Sequence, residues 1–163
     1  MITDDILTEV VRRLNTITAG NTTPAGNTYA FTPALVARGI RLSAAGSVEA
    51  PIYSVSRGER IRDDRTPEGA QNTYAVEFVV NGITPITDRD TPSLDAEKCI
   101  ADIGEAVLDG DTVDARQRCT LGGLCEDFAF DSDAITPPEP DDKLISFSIT
   151  FAAVIQGRRG HFH

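Results

Sequence analysis

Lys143-Leu-Ile-Ser-Phe-Ser-Ile-Thr-Phe-Ala-Ala-Val-Ile-Gln156 sets Ile145, Phe147, Ile149, Phe151, Ala153 and Ile155 at every second position, with Ser146, Ser148 and Thr150 between them. Successive side chains of a strand point to opposite faces, so this alternation predicts a strand with one buried face. Its Ile, Phe and Thr content suits a pleated, half-buried surface, and a slip of one residue would turn the whole apolar set into water. The rest of the chain must supply partners for this strand.

Working back from it, Pro137, Pro138 and Pro140 mark the connection into the strand. Before them, Leu121 to Asp131 reads as a turn followed by a strand, with Leu124, Phe128 and Phe130 at even spacing. Ser93 is placed to cap a helix running to about Asp109, striped by Leu94, Ile100, Ile103, Ala106 and Val107 with Cys99 beside them, and Gly110 suits its end. Thr112 to Thr120 has no readable pattern. Asn72 to Asn81 alternates Tyr74, Val76, Phe78 and Val80 on one face, and Asn81-Gly82 predicts a turn that closes it. Arg57 to Gln71 has no apolar period and is dense with charge, which predicts an exposed loop. A short strand, Ala50 to Ser56, precedes it, and before that an extended segment, Tyr29 to Thr32 and then Leu35 to Leu42, is broken near Pro33 and Gly39.

At the start, Thr3 is an expected N-cap with Asp4 and Asp5 in the first turn, where the helix dipole favours negative charge. Ile6, Leu7, Val10, Val11, Leu14 and Ile17 then follow the spacing of an amphipathic helix that Gly20 ends. Asn21 to Thr28 is polar and turn-rich. One helix, several strands, a second helix and two strands predict an α+β domain: a mostly antiparallel sheet, two helices packed on one face, and a strand-rich C-terminal half. The 163 residues suffice for one such domain, read as residues 1–156, with 157–163 as a disordered tail.

The 25 acidic residues outnumber the 15 basic ones, a formal charge of -10, which argues against sustained binding to the outside of a nucleic acid. That acidity is regional, since Asp88 to Asp142 holds 16 acidic and 4 basic residues while the remainder is nearly balanced. Such a region is a set of solvated loop faces, a surface that repels phosphate like the wall of a pore along which DNA slides, or a surface for a basic protein. Of the cations, 13 are Arg, the one suited to ordered bidentate contacts. The N-terminal sequence has neither the basic nor the apolar region of a secretory signal, and no run approaches a membrane span, so residence in a cytoplasm is expected.

Patterns for catalysis are missing. His161 and His163, the only histidines, lie in the last three residues, which leaves histidine-based nucleophilic or zinc sites without a rigid base. Cys99, Cys119 and Cys125 form no CxxC and read as buried free thiols. Asp109 to Asp114 and Asp131-Ser-Asp133 begin like calcium loops, but Val113 and Ile135 stand where oxygen ligands are needed. Neither a phosphate-cradling glycine motif nor a nucleophile elbow occurs. No catalytic residue, metal ligand or cofactor is assigned.

Ile6-Leu-Thr-Glu-Val-Val-Arg-Arg-Leu14 at the start, the charged segment between strands, the second helix, Leu121-Gly-Gly-Leu-Cys-Glu-Asp-Phe128 and the closing Ile145 to Phe151 together resemble the tail terminator proteins of long-tailed bacteriophages. The resemblance is one of pattern over nearly the whole chain. It implies a non-enzymatic virion protein of the tail or neck, assembled in the host cytoplasm. Such a protein forms a ring, typically a hexamer, that caps the tail tube, stops its growth, joins it to the head connector or stopper and lets DNA pass. In that setting Arg57, Arg60, Arg62 and Arg65 are expected to contact a neighbouring subunit or the tube, unless they pair locally with Glu59, Asp63, Asp64 and Glu68. Asp88, Asp90, Asp131, Asp133, Asp141 and Asp142 become candidates for an acidic lumen. Another neck or tail-completion protein of similar fold, or an acidic module that binds a basic protein, are the alternatives; a carboxylate metalloenzyme ranks last. Asn21 to Thr28 and the Arg158 to His163 tail have no counterpart in the family pattern.

Overall fold

A computed structural model describes residues 2–43, 48–62, 72–108 and 119–157, with side chains for all of these but 60–62, 72–73 and 156–157. Helix α1 (Ile2–Leu14) precedes strands β1 (Leu35–Arg38), β2 (Ile52–Arg62) and β3 (Asn72–Pro85), followed by helix α2 (Leu94–Leu108) and strands β4 (Asp127–Thr136) and β5 (Leu144–Gly157). The strands form one sheet in the order β1-β2-β3-β5-β4, antiparallel throughout except for the parallel pair β1 and β2. This is the expected α+β architecture.

The closing strand lies inside the sheet, between β3 and β4, and its alternation reports that position. Phe147, Ile149, Phe151, Ala153 and Ile155 are buried with Tyr53, Val55, Val76, Phe78 and Val80 under α1 and α2. Phe151 stacks on Phe128 at 5.2 Å, and Phe128 meets Phe78 at 6.0 Å, so aromatic contacts join β3, β4 and β5. From α1 come Ile6, Val10 and Leu14; from α2 come Ala96, Cys99, Ile103, Ala106 and Val107.

Several boundaries depart from the expectations. Helix α1 stops at Leu14 rather than continuing past Ile17, because Thr16 and Ile17 donate to carbonyls three residues back and the side chains of Asn15 and Thr16 take the carbonyls of Val11 and Arg13. Ile17 is buried all the same. Thr3 is no cap: it lies within the helix and is itself buried. Leu94 opens α2 but is exposed and does not join its stripe.

Residues 57–62 are strand rather than loop, since β2 runs on to Arg62 against β3. Beyond Val55, β2 has lost its β1 neighbour, and there Arg57 and Glu59 are solvated, which removes the apolar alternation that would have announced a strand. Asn81-Gly82 is not a turn either. It lies within β3, where the Phe147 ring crosses the backbone so closely that a Cβ on Gly82 would stand 2.1 Å from that ring's Cζ. The glycine serves close approach, not a bend. Strand β4 begins and ends later than expected, after a turn at residues 121–124 in which Leu121, Gly122 and Gly123 all have positive φ. Asp131-Ser-Asp133 is therefore strand, not a calcium-like loop.

The polar Asn21 to Thr28 stretch is a small closed loop. Thr22 and Thr28 bridge, the Gly20 N–H donates to the Tyr29 carbonyl and the Tyr29 N–H to the Asn21 carbonyl across its neck, and Asn27 donates to Glu105 on α2.

Candidate assembly surfaces

Both helices cover the same face of the sheet, and the other face is lined by the positions that alternate with the core. Ser54, Ser56, Val79, Asn81, Ser146, Ser148 and Thr150 stand on it, small and mostly polar. Among the described residues only the segment after β1 crosses this face. Gly39 turns it with φ 63°, and the Ser54 hydroxyl donates to the Ile40 carbonyl at 2.7 Å. The segment and the sheet enclose an open groove of about 550 Å³ lined by Arg41, Ser54, Asn81, Ser146 and Ser148 among others. Its lining offers hydroxyl and amide hydrogen bonds and one guanidinium, and it carries no carboxylate, imidazole or thiol.

The six candidate acidic residues divide into two groups. Asp88 and Asp90 lie in the β3–α2 connection, Asp141 and Asp142 in the β4–β5 connection, and Arg89 joins the two loops by donating to the carbonyls of Pro140 at 3.2 Å and Asp142 at 2.9 Å. Ile86 N–H to Lys143 carbonyl, at 2.9 Å, holds the same loops at their base. Asp88 is kept below the usual carboxylate range by the N–H of Asp90 and the hydroxyl of Thr91, both of which donate to it. Asp131 and Asp133 stand apart, exposed on the edge strand β4, at a bulge where the pairing register with β5 shifts. Sequence reading placed all six in one region; the fold brings together four of them.

Of the four candidate arginines, Arg57 is exposed on β2. Arg60 and Arg62 follow on the same strand with their side chains outside the described residues, and Arg65 lies wholly outside them. Residues 109–118 and 158–163, which hold one calcium-like stretch, both histidines and the tail, also lie outside.

Two carboxylates that sequence reading passed over are buried. Asp102 accepts from the N–H groups of Ala30 and Phe31, at 3.0–3.2 Å, and Asp95 accepts from the N–H and hydroxyl of Thr87 at 2.8 and 2.7 Å. Burial pushes Asp102 above the ordinary carboxylate range, opposed by those same N–H donors. These groups tie loops to α2 and are not part of an acidic surface. The signal was present in the spacing: Asp95, Cys99, Asp102 and Ala106 fall on one helical face, the core stripe. Arg13 is likewise internal. It bonds Glu9 at 2.8 Å and caps α2 through the Val107 carbonyl at 2.9 Å, where the helix dipole favours a cation. The guanidinium of Arg12, aided by that of Arg13, holds Glu9 down to about 2.

Cys99, Cys119 and Cys125 are buried thiols outside any disulfide, and burial pushes the Cys99 thiol up to about 11, far from a reactive thiolate. No cluster of three or more His, Cys, Asp or Glu suited to a metal occurs among the described residues. No described helix is long and apolar enough to cross a membrane.

No protein-family model matches this chain, and no curated protein does. Among solved structures, a chain from the "Virion of native gene transfer agent (GTA) particle" is similar at 18% identity and a TM-score of 0.44, over 75% of this chain and 78% of that one. A likeness of this size leaves function to be argued from the residues themselves.

Proposed function

We propose that this protein is a structural component of a phage-type virion, a tail terminator that assembles as a ring at the head-proximal end of the tail tube. The observation that carries this reading is the one-sided layering. Helices cover one face of the sheet, while the opposite face and both sheet edges are left without a layer or a strand among the described residues. Edges in this state are sites where another chain adds. With the sequence pattern shared with tail terminators, a subunit completed by its neighbours is the reading that accounts for most of the surface.

In this reading the ring passes DNA without holding it, and the acidic loops around Asp88, Asp90, Asp141 and Asp142 face the duplex and repel its phosphates. Asp131 and Asp133, apart from those loops on the β4 edge, are left out of that lining. Arg57, Arg60, Arg62 and Arg65 meet carboxylates of the adjacent subunit or of the tube. The partners are further copies of the chain, six in the family pattern, with the tube protein and the connector or stopper on either side. No cofactor or catalysis is involved.

Negative-stain electron microscopy of the purified protein at high concentration tests the ring. Class averages with a closed ring and a hole wide enough for duplex DNA are expected. A chain that instead stays monomeric and recovers basic DNA-binding proteins in pull-downs would replace this reading with that of an acidic binding module. For the arginines, reversing Arg60 and Arg62 to Glu should block head-to-tail joining while leaving the melting temperature of the monomer nearly unchanged; normal infectious particles from that variant would remove them from the interface.

A further inference from the structure

The two edges of the sheet carry opposite charge. Edge strand β4 holds Asp127, Asp131 and Asp133 and no cation. On the other side, β1 and the part of β2 that outruns it hold Arg38, Arg57, Arg60 and Arg62 against Glu59 alone.

These charges also stand at matching heights along the strands. Following the pairing across the sheet, Asp133 lies level with Ile149, Val80, Val55 and Arg38 in turn. Phe130, beside the bulged Asp131, lies level with Phe151, Phe78 and Arg57. The intervening Ile149, Val80, Val55, Phe151 and Phe78 are all core residues, so the helix-covered side is the side to which these edge positions belong.

From these observations we infer that copies of this chain associate head to tail through their sheet edges, with the β4 edge of one against the β1–β2 edge of the next, Asp133 facing Arg38 and Asp131 facing Arg57. The inference rests on the ring reading above and gives it a subunit contact. Strand direction agrees. β1 runs parallel to β2 and the remaining neighbours alternate, so β4 runs opposite to β1, and a copy set alongside in the same orientation presents an antiparallel neighbour.

Closure agrees as well. A contact repeated by pure rotation has no rise, so groups at equal height meet, and only a heterologous contact builds a ring of more than two copies. Charges and a bulge on an edge strand discourage pairing with a second copy of that same edge, which disfavours β4 against β4 and leaves the arginine edge as its complement. Phe130, 49% exposed although its partner Phe151 is fully buried, would be covered by this contact with the Arg57 guanidinium at its height. Arg38 already bonds Asp4 at 2.6 Å while remaining partly exposed, and a guanidinium with five donors has capacity for a second carboxylate.

The test is a charge exchange in the full-length protein, read by sedimentation velocity and by electron microscopy of rings. The variants are Asp131→Arg with Asp133→Arg, and Arg38→Glu with Arg57→Glu. Each alone should raise the concentration needed for assembly by roughly tenfold or more, since like charges then face each other. An equimolar mixture should assemble at close to the wild-type concentration, because alternating copies restore every acid–base pair; a misfolded variant could not be rescued in this way. Rings from the wild type together with unimpaired variants, or a mixture that stays as defective as its parts, overturns the edge contact while leaving the ring reading intact. A wild type that never associates overturns both.

Discussion

Phe130 on β4 and Phe151 on β5 occupy the same rung of the sheet and point to the same side, yet one is half exposed and the other has no accessible surface. Each has an apolar residue two positions before it, Phe128 and Ile149. What separates them is company: β5 has strands on both sides and helices above it, while β4 ends the sheet and bulges one residue beyond Phe130. Alternation therefore reports that a face exists, and only the neighbours decide whether it is covered. The same contrast separates two parts of β2, core-forming as far as Val55 and solvated at Arg57 and Glu59.

The sharpest way to test this contrast is to truncate both aromatic residues. Phe151→Ala should cost about 3–5 kcal/mol by leaving a cavity at the centre of the core, lowering the melting temperature by roughly 10 °C in a chain of this size. A loss below about 1 kcal/mol in calorimetry would mean that the strand is not internal. Next in size is Gly82→Ala on the neighbouring β3, where the new methyl group meets the Phe147 ring; a loss of about 1–3 kcal/mol is expected, and Phe147→Leu in the same chain should recover part of it by making room. If Gly82→Ala is neutral, the ring does not lie over this backbone.

Asp102→Ala leaves the N–H groups of Ala30 and Phe31 without their acceptor, at about 1–3 kcal/mol, whereas Asp102→Asn keeps an acceptor oxygen without the buried charge and should cost clearly less. Equal losses for both variants would show that the negative charge, not the hydrogen bonding, is what matters there. Smaller still is Glu9. Its carboxyl titrates near 2 in the folded chain, below its ordinary 4.5, so its contribution is present above the ordinary value and is lost as pH falls through the folded one. The stability gap between wild type and Glu9→Gln should thus close between about pH 5 and pH 2, and should stay under about 1 kcal/mol because the Arg12 side of the pair is open to water. The smallest effect completes the comparison: Phe130→Ala should change monomer stability by no more than about 0.5 kcal/mol, while weakening assembly if the β4 edge meets another copy.

Charge reads differently from apolar pattern. Sixteen acidic residues crowd into Asp88 to Asp142, but a count has no geometry. Asp95 and Asp102 are drawn inward because their helical spacing puts them on the stripe that packs against the sheet, where loop N–H groups offer bonds that water would otherwise supply. Asp88 and Asp142 come close because Arg89 finds two loop carbonyls more than fifty positions away. Neither outcome follows from local composition.

By itself the sequence determined the α+β class, both helices, the buried face of β5 and the alternation of β3, since each rests on a repeat short enough to be read within one element. Tertiary structure alone decided that Asn81-Gly82 stays in a strand, that Arg57 to Arg62 is sheet, which carboxylates are buried, and that Asp133 stands level with Arg38 across five strands. These depend on contacts between residues distant in the chain, where burial and pairing outweigh the local preferences of turn-forming and charged residues.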